Sequence, residues 1–98
     1  MKKLSKIEIN KKLKRLSGWK MVKGRNAIAK SFKFDSFLSA FNWMPAIAFY
    51  AEQKTHHPEW FNVYNSVDVT LSTHDSGGVT QLDINMAKQM NLLAKNQI

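Results

Sequence analysis

All three histidines of the 98-residue chain lie between positions 56 and 74: the adjacent pair His56 and His57, and His74. Glu52 stands one helical turn before His56, close enough to orient its ring or hold its proton. An imidazole titrates near pH 6.5, so such a cluster suits general acid–base work. The fitting substrate must lose one proton while a leaving group gains another. The residue types leave two other readings open. Three imidazoles and a water make a known catalytic zinc set, although adjacent histidines rarely ligate one ion together. Two capping or surface histidines and one loop histidine are the plain structural reading. Nucleophilic chemistry has little support, because the chain has no cysteine and Ser72 sits in no nucleophile elbow. Gly77-Gly78 lacks the Gly-Lys-Ser/Thr continuation of a phosphate loop, and reads as a sharp turn that admits a close neighbour.

The elements that must position these residues follow from patterning. Ser5 to Leu16 reads as a helix, with Ser5 and Glu8 at capping-box spacing and Ile7, Ile9, Leu13 and Leu16 as its apolar face. Trp19 to Val22 and Ala27 to Phe34 read as the strands of a hairpin around Lys23-Gly24-Arg25-Asn26. A long helix opens at Asp35 or Ser36 and runs to about Lys54, with Phe37, Phe41, Met44, Ala48 and Ala51 as its buried stripe. Pro45 predicts a kink in it rather than a break. Pro58 ends helical geometry. Trp60 to Tyr64 and Val67 to Thr73 make a second hairpin about Asn65-Ser66, and His74 to Gly78 is a loop. Thr80 caps a last helix, with Asp83 in its first turn and Leu82, Met86, Met90 and Leu93 on its apolar face. The order α-β-β-α-β-β-α predicts a two-layer α+β domain: one four-stranded antiparallel sheet with three helices on one face.

Size and charge bound the rest. The chain supports one domain, and a core this small often gains from oligomerisation. No signal-like or membrane-spanning run is evident, so a cytoplasmic protein is the default. Of 15 Lys and Arg, 12 fall in residues 1–33 with a single acid, Glu8. Such asymmetry suits either a solvated lysine-rich helix and edge hairpin or a nucleic-acid or membrane-binding arm. Few arginines and no aromatic before Trp19 weigh against reading of nucleic-acid sequence.

The run Ala51-Glu52-Gln53-Lys54-Thr55-His56-His57-Pro58-Glu59-Trp60-Phe61-Asn62-Val63-Tyr64-Asn65 resembles the signature of the pterin-4a-carbinolamine dehydratases. So do Val69 to His74, Gly77-Gly78-Val79-Thr80 and Asp83 to Ala87, with Phe32-Lys33-Phe34, Phe37, Ala40-Phe41 and Ile47-Ala48 upstream. The resemblance covers roughly residues 16 to 90 and leaves the lysine-rich start outside. It implies dehydration of 4a-hydroxytetrahydropterin to quinonoid dihydropterin, in recycling of a tetrahydrobiopterin-type cofactor. No cofactor or metal is then required, since the pterin is the substrate. It implies His56 and His74 as the acid–base pair and His57 as a catalytic and pterin-binding residue. Glu52, Trp60 and Asp83 would shape or support the pocket, and Ser72 and Thr73 would add hydrogen bonds. Thr55 departs from the acid that animal members often carry there. The resemblance further implies a homodimer or homotetramer and an aromatic amino-acid hydroxylase as pathway partner. It also implies an alternative role, as a dimerisation cofactor of a transcription factor.

Overall fold

The computed structural model describes residues 1–95. Its elements are α1 (Lys6–Leu13), β1 (Lys20–Met21), β2 (Ile28–Lys33), α2 (Phe37–Lys54), β3 (Glu59–Val63), β4 (Ser66–Leu71) and α3 (Gln81–Ala94), with a short 3₁₀ turn at His74–Ser76. The expected α+β order and four-stranded antiparallel sheet are present, in strand order β1-β2-β4-β3. Two hairpins meet through the β2–β4 pairing, which runs from Ile28 opposite Leu71 to Lys33 opposite Ser66. Alternation decides which face is covered. Ile28, Phe32, Val67, Val69 and Leu71 are all buried and join one core with residues of the three helices.

Local chemistry fixes the helix starts. The Ser5 hydroxyl accepts from the Glu8 amide while the Glu8 carboxylate accepts from the Ser5 amide. The α1 helix then ends at Leu13, short of the expected Leu16. Ile9 and Leu16 are buried, but Ile7 is 80% exposed and does not belong to the apolar face.

The stripe expected on α2 is rotated. Ala40, Trp43, Ile47 and Ala51 face the core, whereas Phe37 and Phe41 are exposed, as is Ala48, and Met44 is half-buried. The buried Trp43 indole donates to the Met90 carbonyl at 3.1 Å and packs against Phe32, Phe34 and Trp60. From Phe37 to Ala51 the helix carries no charged residue, so apolar side chains occur nearly all round it and its sequence phase is ambiguous. The helix is continuous through Pro45, which is exposed. The carbonyl freed at Phe41 also lies on the exposed side, where water can satisfy it.

The second hairpin turns at Tyr64-Asn65, one residue earlier than expected, since Val63 pairs with Ser66. Tyr64 takes the positive φ of 51° expected of Asn65. Asn65 instead binds β2: its side-chain amide donates to the Phe34 carbonyl at 2.8 Å, and its own carbonyl accepts from the Phe34 amide at 2.9 Å.

Candidate active site

Helix α2 closes in a way that splits the two adjacent histidines. The Thr55 amide bonds to the Glu52 carbonyl and the His56 amide to the Ala51 carbonyl, with Thr55 left-handed at φ 50°, ψ 44°. That is the Schellman closure, here without the usual glycine. The reversal turns His56 inwards, to 8% exposure, and leaves His57 on the surface.

His56 meets Asp83, which is fully buried in the first turn of α3. The His56 Nε2 to Asp83 Oδ1 distance is 2.6 Å. The other carboxylate oxygen, Oδ2, accepts from the Thr80 amide at 2.9 Å and from the Thr73 hydroxyl at 2.8 Å. The Thr73 hydroxyl, its proton so committed, accepts from the Thr80 hydroxyl at 2.7 Å. Thr80 Oγ1 in turn accepts from the Leu82 amide at 3.2 Å. An ionised carboxylate only accepts, so the network assigns the His56 proton to Nε2 and leaves Nδ1 as the exchangeable ring atom. No buried side-chain nitrogen or oxygen among the described residues lacks a partner. A buried polar network that is fully satisfied holds one geometry.

His57 is held differently. Its Nε2 lies 2.8 Å from Glu52 Oε1, and both side chains are more than half exposed. Glu52 was expected to orient His56; it orients His57 instead, because the left-handed Thr55 carries His56 away from its helical neighbour. His74 opens the 3₁₀ turn and is exposed. That turn is closed by the Thr73–Gly78 bridge, with the Thr73 amide 2.9 Å from the Gly78 carbonyl. Gly78 is needed there because a Cβ would come within 2.6 Å of the Asn26 side chain.

The three histidines share one cleft of about 380 Å³, lined also by Thr55, Ser72, Thr73 and Leu82. Its size falls in the range of small-molecule sites. A second cleft of about 250 Å³ adjoins it through Ser72 and His74, and is bounded by Arg25, Asn26 and Glu59. Among the sequence-predicted site residues, His56, His57, His74, Ser72 and Thr73 therefore converge. Glu52 does not line the cleft and holds His57, while the fully buried Asp83 holds His56. Trp60 lies apart from the cleft, on the helix-covered side of β3 against Trp43, with ring centroids 6.1 Å apart. The Ser72 hydroxyl donates to the Asn26 carbonyl at 2.9 Å and the Thr73 hydroxyl to Asp83, so both are already committed within the protein. Among the described residues, no three His, Asp or Glu side chains are grouped so as to hold a metal ion.

Three features at the site carry no local sequence signal. Arg25 forms a two-pronged ion pair with Glu59, Nη1 to Oε1 at 2.8 Å and Nη2 to Oε2. Asn26 accepts from the Val79 amide at 3.0 Å and so ties the first hairpin turn to the approach to α3. The N-terminal segment crosses the rim: the Leu4 amide bonds to the Val79 carbonyl at 2.8 Å, and the Ser76 hydroxyl donates to the Met1 carbonyl.

The fold is two-layer α+β, and its cleft holds a carboxylate-backed histidine where α2 gives way to β3. The family model for pterin 4 alpha carbinolamine dehydratase matches residues 2–93, and the chain belongs to that family. The match takes in α1, which the sequence resemblance had left outside. A curated relative from Brucella ovis, named "Putative pterin-4-alpha-carbinolamine dehydratase", is 56% identical over 91 residues, 93% of this chain and 94% of the relative. The relative from Brucella suis biovar 1 carries the same name and the same figures. The crystal structure of a transcriptional coactivator/pterin dehydratase from Brucella melitensis superposes with a TM-score of 0.92 at 55% identity, over 94% of this chain and 98% of that one. A pterin dehydratase-like RuBisCO assembly factor of the alpha-carboxysome shares the fold at TM-score 0.68 and 20% identity, over 79% of this chain and 89% of that one.

Proposed function

We propose that the protein removes water from a 4a-hydroxytetrahydropterin to give quinonoid dihydropterin, with its histidines as general acid and base. The observation that carries this reading is the His56–Asp83 contact of 2.6 Å at the cleft shared with His57 and His74. His56 Nδ1 takes the N5 proton, and Asp83 stabilises the imidazolium that forms. His74 delivers a proton to the C4a hydroxyl, which leaves as water. The electron pair released at N5 forms the N5–C4a double bond, and both histidines return to their starting state by exchange with solvent. Hydroxide is a poor leaving group, so protonating it as it departs lowers the barrier. The ring nitrogen supplies the push, so the proposed route needs no resident cofactor. His57, steered by Glu52, binds and orients the pterin at the rim.

The test follows quinonoid product formation from a 4a-hydroxypterin. His56→Ala and His74→Ala are each expected to lower the rate about 10²–10⁴-fold. Unchanged rates in both variants would remove the assigned roles. Absence of acceleration by the unaltered protein would remove the reaction itself.

We also propose that a second copy covers the outer face of α2. Phe37, Leu38, Phe41 and Phe49 are all at least half exposed there, and no charge between Phe37 and Ala51 opposes a like surface. A self-complementary patch of this kind suits a two-fold dimer. Light scattering is expected to report an oligomer for the protein and a monomer for Phe41→Glu.

A further inference from the structure

The sheet has an opening that its strand order conceals. β1 is two residues long and pairs only with Ile28 and Ala29, whereas β2 continues to Lys33. From Lys30 onwards β2 has β4 on one side and, among the described residues, no strand on the other. In an antiparallel pair the backbone groups of successive residues point alternately to the two neighbours. The Val22 amide donates to the Ala27 carbonyl, and the Phe34 amide donates to the Asn65 carbonyl, each at 2.9 Å. That phase directs Phe32 and Phe34 towards β4, and Ser31 and Lys33 towards the open edge. Among the described residues, the backbone of neither Ser31 nor Lys33 bonds to any loop or turn.

A groove of about 450 Å³ runs along this edge, between the end of α1 and the last turns of α3. Arg15, Lys30, Lys33, Lys88 and Lys95 line it, and no Asp or Glu does. None of these five cations joins an ion pair among the described residues. Lys30 is half-buried, its ammonium fixed by the Ser17 carbonyl at 2.9 Å and Asn91 Oδ1 at 2.8 Å. Burial without a carboxylate partner lowers its pKa, and an incoming anion would relieve that cost.

We infer that the open edge of β2 docks an extended acidic peptide segment. The segment adds as a further strand beside Ser31 and Lys33, with its carboxylates among Arg15, Lys30, Lys88 and Lys95. Two features of the site choose this occupant over a nucleic acid. The edge presents carbonyls as well as amides, and only another peptide backbone satisfies both; a phosphate backbone would accept from the amides and repel the carbonyls. The groove's two phenylalanines, Phe32 and Phe34, are buried, which leaves no aromatic platform for stacking a base. The free edge spans about five residues, or about 16 Å at the usual rise of a strand, and acids two residues apart on the added strand point to one side. Strand addition of this kind draws affinity from the main chain and selectivity from alternate side chains.

The experiment uses the full chain and a fluorescent peptide of alternating Glu and Val. Three comparisons accompany it: the same peptide N-methylated on alternate amides in each register, an oligothymidylate of equal charge, and the Lys88→Glu/Lys95→Glu protein. Saturable binding with a Kd below about 1 mM at low salt is expected. A loss of about tenfold or more is expected on N-methylation in one register, and again with the charge-reversed protein. Dehydration rate and melting temperature of that variant are expected to stay unchanged, since neither lysine touches the histidine cleft. Equal binding of all N-methylated peptides would reduce the site to charge attraction and overturn strand addition. An oligothymidylate that binds more tightly and displaces the peptide would assign the groove to nucleic acid. Lack of saturable peptide binding would remove the site.

Discussion

His56 and His57 are neighbours in sequence and opposites in structure. His56 sits in the protein against a fully buried carboxylate whose oxygens are all engaged. His57 sits at the surface against a carboxylate that is itself 78% exposed. The first arrangement is pre-organised and has no slack. The second can adjust to a ligand at little cost. The two contacts have similar distances, 2.6 and 2.8 Å, so length alone does not rank them. Burial does: a buried partner removed leaves an unsatisfied charge, whereas water replaces a surface partner.

The contrast breaks most sharply at Asp83. Asp83→Ala removes the His56 partner, the Thr73 acceptor and half of the α3 capping box together. A loss of about 3–5 kcal/mol in urea unfolding is expected, from three buried donors left unpaired at about 1–3 kcal/mol each and from the lost cap. Glu52→Ala, the matching change at the surface, is expected to stay within about 0.5 kcal/mol and to raise KM more than it lowers kcat.

Stability next separates the two histidines proposed to carry protons. His56→Ala strands an Asp83 oxygen and is expected to cost about 1–3 kcal/mol, whereas exposed His74→Ala costs less than about 0.5 kcal/mol. Equal melting temperatures for the two would show that the buried pair contributes no net stability.

The left-handed Thr55 is what drives the two histidines apart, and a β-branched residue is poorly suited to that conformation. Thr55→Gly is expected to stabilise the fold by about 0.5–1 kcal/mol in urea, because relief of the strain exceeds the added unfolded-state entropy. A destabilised glycine variant would mean the threonine side chain contributes contacts that outweigh its strain.

The smallest effect is expected at the exposed Arg25–Glu59 pair. The Arg25 guanidinium holds the Glu59 carboxyl below its ordinary 4.5. A carboxyl lowered in the folded state adds stability above its unfolded pKa and loses it as pH falls through the folded value. The stability gap between the unaltered protein and Glu59→Gln should therefore be small near neutral pH, begin to shrink below about pH 4.5 and vanish once the pH has fallen through the lower folded value. Melting curves across that range check it.

Much of this was legible in the sequence, for identifiable reasons. The element order follows from punctuation: Ser5 and Thr80 cap helices, Pro58 ends one, and Gly18 and Gly24 take the positive φ that turns require. The strands of β4 alternate cleanly, so Val67, Val69 and Leu71 could be assigned to the core. The phase of α2 could not, because a charge-free helix gives no polar face to read, and the visible aromatic stripe of Phe37 and Phe41 is the exposed one. The histidines at the cleft are identifiable by type. Their partners are not, because Asp83 lies 27 positions from His56 and reaches it only through the packing of α3 on α2. Local spacing pointed to Glu52, and a single left-handed residue at Thr55 redirected it. The open edge of β2 has no signal in its own residues, because it depends on where β1 stops.

One carboxylate serves both as the N-terminal cap of α3 and as the support of His56. The start of that helix and the working geometry of the histidine are therefore a single structural event. Oδ1 holds the histidine and Oδ2 the cap, and Thr73 and Thr80 are tied into the same knot. Unravelling the first turn of α3 would therefore also take away the support of His56. Loss of turnover on heating is expected to coincide with the melting of the backbone, and recovery on cooling to follow helix re-docking without a lag.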